Sequence, residues 1–180
     1  MFGYGSLVSP ESFGSTLGRS LRWGEDLHEA DVVAYGRRWN YGVMHTTGLA
    51  PGDDGSERRW TLVALGVIPA PEESVNGVVG WVTEDELVGL DHRERHYDRV
   101  DVTGLTTVHG HIDGPVVTYV PRPEAIEHYE RERDAGRAAI EQRYWDLVDG
   151  AFAALGPDRH QRYHATTPDP DVPVLSVRRD

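Results

Sequence analysis

The chain has no cysteine, and its 18 basic residues are all arginine, so it has no lysine either. Without a thiol or a lysine amine there is no cysteine nucleophile, no Schiff base and no lysine-bound pyridoxal phosphate. A Walker A phosphate loop is excluded as well, since it needs its lysine. No apolar run approaches the ~20 residues that cross a bilayer, and no basic segment followed by a hydrophobic one opens the chain. The expectation is a cytoplasmic protein, with which the lack of cysteine agrees. Positive charge is scarce: 30 acidic residues stand against 18 basic ones, a formal net charge of -12. That balance argues against a nucleic-acid partner and against an anionic membrane surface. Catalysis, if present, falls to Asp, Glu, His, Ser, Thr, Tyr, Arg or a bound metal.

What is present is the composition of an ordinary globular chain, 38% hydrophobic and 27% charged over 180 residues, enough for one domain with a proper core. The most informative stretch comes first, Phe2-Gly3-Tyr4-Gly5-Ser6-Leu7. Two glycines around a tyrosine predict a short strand breaking into a tight turn, with a helix capped by Ser9 and opened by Pro10 running to Leu17 and stopped at Gly18. Such a turn can aim several backbone N–H groups into one cavity, where they hold a carboxylate or a phosphate.

Further along, residues 27–41 read as extended, and residues 46–58, rich in turn formers, as a loop. Trp60 to Ile68 reads as a strand buried on both faces, Pro69 and Pro71 as a turn, and Val75 to Val82 as another strand. Thr83 and Glu86 form a capping box that starts a short helix. Strands are expected over 97–105, 106–112 and 116–120, the last two separated by a turn at 113–115. Pro123 opens a polar helix, and an amphipathic helix including Ile140 runs on to Leu155. The tail from Gly156 reads as extended and irregular, with an edge strand or arm over 172–177. Strands interleaved with short helices imply an α+β fold with a curved, partly closed sheet.

The densest ionisable cluster is Leu90-Asp91-His92-Arg93-Glu94-Arg95-His96-Tyr97-Asp98-Arg99. Most of it reads as solvated or salt-bridged surface. Glu94 differs in placement, at the junction of a helix and a strand between Leu90 and Tyr97. There a carboxylate can be desolvated and its pKa raised towards neutrality for base work.

Taken together, Phe2-Gly3-Tyr4-Gly5-Ser6-Leu7 and Leu90-Asp91-His92-Arg93-Glu94-Arg95-His96-Tyr97-Asp98-Arg99 resemble the gamma-glutamylcyclotransferase family, which pairs a Y-G-S-[LN] loop with a downstream L-D-x-x-E-x-x-Y segment. Gly36-Arg37-Arg38-Trp39 and Asn76-Gly77-Val78-Val79 also fit the family's run, and Tyr129 with Gly136 resembles a substrate-side tyrosine and helix glycine of some branches. The resemblance spans residues 2 to about 145 and implies an α+β fold built on a small mixed closed β-barrel with flanking helices. It implies a family-like domain over 1–155 and a Pro-rich extension over 156–180 that packs on the domain or on a neighbour, a homodimer being left open. It further implies cyclisation of a γ-glutamyl amide to 5-oxoproline with release of an amine, without cofactor or metal. Glu94 would be catalytic, and Tyr4, Gly5, Ser6, Leu7, Tyr97 and Tyr129 would bind the small-molecule substrate. The identity of the leaving amine is not legible.

Two rival readings stay beside it. One is a non-catalytic module of the same fold that binds a small ligand or a protein. The other is a metal site, since His109 and His111 share a strand face and His160 and His164 have i, i+4 spacing. No carboxylate accompanies either pair at a usual ligand spacing, so both read as surface histidines. Acyl transfer through Ser6 is disfavoured, because the glycine two places after a nucleophile-elbow serine is missing.

Overall fold

One hairpin of two very long strands organises the protein. β2 (Leu27–Pro51) and β3 (Glu57–Gly80) pair antiparallel from Leu27↔Gly80 to Pro51↔Glu57. The computed structural model describes residues 1–52, 54–110 and 114–179. As the apolar run predicts, residues 60–67 are almost continuously buried. Such a segment needs a hydrogen-bonded partner along its whole length.

That need explains two departures from the sequence reading. The loop expected over 46–58 shrinks to the connection between Pro51 and Glu57, because Thr47 to Pro51 pair with Thr61 to Glu57. Pro69 and Pro71 do not end the strand either. The ladder shifts register between Val33 and Tyr35, so that Ala34, at φ 62°, stands opposite residues 70–73. Pro71, which has no N–H to donate, falls within this bulge, where strands tolerate proline. Two further shifts follow, one at Asn40 and one that sets residues 43–46 opposite Leu62.

Around the hairpin the sheet order is β5-β2-β3-β7-β8, where β5 is Thr106–His109, β7 Ala138–Glu141 and β8 Val174–Leu175. β1 (Phe2–Gly3) adds to β3, and β9 (Arg178–Arg179) adds to β2. β4 (Tyr97–Asp101) and β6 (Val117–Pro121) form a separate antiparallel ribbon. The class is mixed α+β, but the expected closed barrel is absent among the described residues. β8 lies on β7 and β9 on β2, and Ser176 and Val177 carry the chain between those edges with no ladder joining the two strands. The strand candidate over 106–112 is described only to Gly110; residues 111–113, with His111 and the start of the 113–115 turn, lie outside the described residues.

The helices cover the sheet. α1 (Pro10–Leu17) has Ser9 as its N-cap, accepting from the Ser12 N–H at 3.3 Å, and ends at Gly18 with φ 70°. α2 (Glu84–Arg93) carries the full capping box, with Thr83 N–H donating to Glu86 at 2.7 Å and Glu86 N–H to Thr83 Oγ1 at 3.2 Å. α3 (Pro123–Asp134) is followed by β7, not by the start of the next helix. Ile140 pairs beside Val63 in the sheet, and α4 begins only at Gln142 (Gln142–Ala154). The apolar run of residues 138–140 completes the buried sheet, and that tertiary demand overrides the helical spacing.

The tail is irregular only in part, over residues 166–173. Pro157–Ala165 is a fifth helix, α5, whose Tyr163 ring stacks on Phe152 of α4 with centroids 4.3 Å apart. Among the described residues no helix is long and apolar enough to cross a membrane. One core gathers Phe2, the β3 residues Val63, Leu65 and Val67, and Ile140, Val148 and Phe152. A second gathers Met1, Leu7, Phe13, Leu90 and Tyr119. The opening loop runs between the two.

Candidate active site

Phe2 and Gly3 hydrogen-bond to β3 opposite Val79 and Val78, which pins the start of the loop to the sheet. The chain then turns into a single 3-10 turn, Ser6–Val8, with Val8 N–H donating to Gly5 O at 2.9 Å. The turn is tight: a Cβ on Gly3 would stand 2.9 Å from Leu7 Cβ and 3.2 Å from its backbone carbonyl carbon. Among the described residues, the N–H groups of Gly5, Ser6 and Leu7 have no hydrogen-bond acceptor, as is usual for the first donors of a helical turn. Tyr4 is buried, and its hydroxyl donates to Tyr119 O at 2.8 Å.

Glu94 comes from the other side. It is the C-cap of α2, its N–H donating to Leu90 O at 2.8 Å and its own carbonyl accepting from Tyr97 N–H at 2.8 Å. This bend turns the side chain inwards, leaving it 16% exposed, with Arg93 Nε 3.2 Å from Oε1. Burial raises the Glu94 pKa above the usual carboxylate range, and the Arg93 guanidinium opposes that rise. Loop and carboxylate line one cavity of about 50 Å³ with Leu65, Tyr97, Tyr119 and Tyr144.

The phenols are held neutral. Burial, followed by the nearby Glu94 charge, pushes Tyr4 well above its ordinary value; burial and then Tyr4 and Glu94 do the same to Tyr97. Burial raises Tyr144 to about 12, and its oxygen accepts from Leu65 N–H at 3.3 Å. Tyr119 donates to Asp91 Oδ1 at 2.7 Å, and Tyr97 stacks on Tyr41 with centroids 4.3 Å apart. Behind this wall lies Arg37, fully buried, whose charge reaches Tyr4 and Tyr144. The chemistry available is one desolvated carboxylate in a cavity that is also lined by residues with unpaired N–H groups and by neutral phenols.

Of the candidate residues, the fold brings Tyr4, Gly5, Ser6, Leu7, Glu94 and Tyr97 to this cavity. Tyr129 is elsewhere. Its hydroxyl donates to Asp171, its ring lies under Arg133 at 5.3 Å, and it lines a different pocket with Trp39 and Asp171. The sequence singles out none of Leu65, Tyr119 and Tyr144, which an apolar strand, a further strand and an amphipathic helix explain as packing, and it marks Arg37 only within the Gly36-Arg37-Arg38-Trp39 run.

The fold has solved relatives. A structure described as gamma-glutamyl cyclotransferase superposes with a TM-score of 0.52 and 14% identity, over 93% of this chain and 87% of that one. The fold is thus similar to that of a gamma-glutamyl cyclotransferase. A human protein described as uncharacterized matches over the same shares at 15% identity and a TM-score of 0.49. A solution structure from Arabidopsis thaliana is 23% identical over 74% of this chain and 81% of its own, with a TM-score of 0.44. No family model and no curated protein matches the chain.

Proposed function

We propose that the protein is a cyclotransferase acting on γ-glutamyl amines, releasing 5-oxoproline and a free amine. The observation that carries this reading is Glu94, a buried carboxylate with a raised pKa, in one cavity with the unpaired N–H groups of Gly5, Ser6 and Leu7. In this reaction the substrate's own α-amine attacks its γ-carbonyl, so the protein mainly holds a folded conformer. The loop N–H groups bind the substrate α-carboxylate, and the neutral phenols exclude water. Glu94 takes a proton from the α-ammonium and returns one to the leaving nitrogen. The C–N bond to the amine breaks as the ring C–N bond forms, and no oxidant or reductant is consumed.

A cavity of about 50 Å³ encloses only a few atoms. That suits the amino-acid head of the substrate and leaves the departing amine at the mouth, which favours tolerance of several amines. The Arg93–Glu94 ion pair supports the second reading, a ligand-binding module, since a paired carboxylate serves recognition as well as base work.

The deciding experiment incubates the full chain with γ-glutamyl amino acids, peptides and polyamines and measures 5-oxoproline by mass spectrometry. Turnover by the native chain with a loss of about 10²–10⁴-fold in Glu94→Gln is expected. No turnover across the panel, or a Glu94→Gln variant at full rate, overturns the enzyme reading. Ligand binding without turnover selects the module.

A further inference from the structure

Near the paired histidines the sequence offers no carboxylate at a ligand spacing, and the fold supplies one. His160 and His164 stand one turn apart on α5, and α4 brings Asp149 against both. Asp149 Oδ1 lies 2.8 Å from His160 Nε2 and 3.0 Å from His164 Nε2, and the two Nε2 atoms are 3.0 Å apart. Three ligand-grade atoms thus converge on one another, two from histidines at the i, i+4 spacing that helical zinc sites use.

From this geometry we propose that Asp149, His160 and His164 bind one divalent first-row transition-metal ion. A point about 2.1 Å from all three atoms lies roughly 1.2 Å above their plane, with donor–metal–donor angles of roughly 85–90°, one face of an octahedron. Two imidazoles and a carboxylate suit zinc, cobalt or nickel, not magnesium or calcium, which want oxygen. The side chains are 35%, 30% and 52% exposed, so water reaches the open side and completes the shell.

The pairing also has a chemical peculiarity without metal. The His160–Asp149 and His160–His164 contacts have hydrogen-bond geometry, whereas His164 and Asp149 meet at ion-pair distance alone. A cation bound by all three closes that third edge. None of the three lines the Glu94 cavity. The ion's role is to clamp α5 onto α4 beside the Tyr163–Phe152 stack, fixing the helix that carries Arg159 and the segment that carries Thr167 to the long hairpin.

The test is calorimetric titration of the chelator-treated, untagged full chain with zinc chloride, with the melting temperature measured in parallel. One equivalent is expected with micromolar or tighter affinity, together with a rise in melting temperature. His164→Gln is expected to weaken zinc about tenfold or more, and His160→Gln/His164→Gln to abolish binding while the metal-free protein keeps its circular dichroism. Cobalt(II) in place of zinc is expected to give a visible ligand-field spectrum that both variants lose. An absence of binding by the folded native chain, or a double variant that binds zinc like the native chain, overturns the assignment. His92→Gln, on the α2 face, serves as the control for adventitious surface binding, and an equal loss there also counts against the site.

Discussion

Arg37 is a guanidinium with no exposed surface and, among the described residues, no carboxylate partner, and its replacement is expected to cost a large share of an ordinary domain's stability margin. It sits on β2, donating to Thr167 Oγ1 at 2.9 Å, to Asn76 O, and at 3.3–3.4 Å to Asn76 Oδ1. Its guanidinium lies 4.8 Å from the centroid of Phe152 and 5.0 Å from that of Tyr163. Burial lowers its pKa to about 10, so the native state already bears a desolvation cost for this charge.

Arg37→Ala removes the donors, both ring contacts and the packing volume. Unpaired buried acceptors at Asn76 cost about 1–3 kcal/mol each. Each desolvated cation–π contact contributes about 1–2 kcal/mol, and the vacated volume adds a cavity term. Relief of the buried charge offsets part of this, which leaves a net loss of about 3–5 kcal/mol. Arg37→Met keeps most of the volume and the apolar contact with the rings, so its loss should be smaller, about 1–3 kcal/mol from the acceptors. In urea unfolding followed by tryptophan fluorescence, the order is native, then Met, then Ala, and Arg37→Ala melts roughly 6–20 °C lower. An Arg37→Met protein as stable as the native one would show that the donors to Asn76 and Thr167 do no more than offset the cost of burying the charge.

Gly3→Ala places a Cβ 2.9 Å from Leu7 Cβ against backbone that cannot yield, so 5-oxoproline release should fall through a raised KM as the loop shifts; unchanged kinetics would refute the loop's role. The pH dependence of Glu94 follows from its raised pKa. A base must be ionised, so the rate should climb with pH through a limb lying above the ordinary carboxylate range, and Arg93→Ala should move that limb higher. In stability the sign is opposite: the folded state holds the Glu94 proton more tightly than the unfolded one. Its contribution is therefore full below the unfolded value of about 4.3 and lost as pH rises through the folded value. Glu94→Gln should remove that slope in denaturation curves taken across the same range, and an unaltered slope would place its origin elsewhere.

What could be read from the sequence was local. Ser9, Pro10 and Gly18 bound α1, Thr83 and Glu86 start α2, and each signal lies within a few residues of what it specifies. Where distant pairing decides, local signals mislead. The turn formers of 46–58 and the prolines at 69 and 71 are absorbed into one hairpin, because a buried strand must pair wherever its apolar run extends. Ile140 has helical spacing yet lies in the sheet beside Val63. In the candidate site, Glu94 stands out because its type conflicts with its apolar neighbours Leu90 and Tyr97. Tyr119, Tyr144 and Arg37 carry no such conflict in sequence, and only the fold reveals that they share the cavity or its back wall.

The cavity is closed by segments remote in sequence: the first residues, the middle of β3, the end of α2, β6 and the first turn of α4. Four of these are tied in pairs by hydrogen bonds. Tyr4 reaches Tyr119 O, Thr118 reaches Phe2 O, and Leu65 N–H reaches Tyr144. The buried charge of Arg37 behind Tyr4 and Tyr144 adds a positive field that no side chain at the cavity wall supplies. That field favours an anionic head group facing the loop, whereas the phenol wall raises the cost of any uncompensated charge on Glu94. A zwitterionic amino-acid head answers both demands at once, its carboxylate towards the loop and its ammonium towards Glu94. Neither a simple anion nor a simple amine does so, and that is why the proposed reading gives this cavity an amino-acid head.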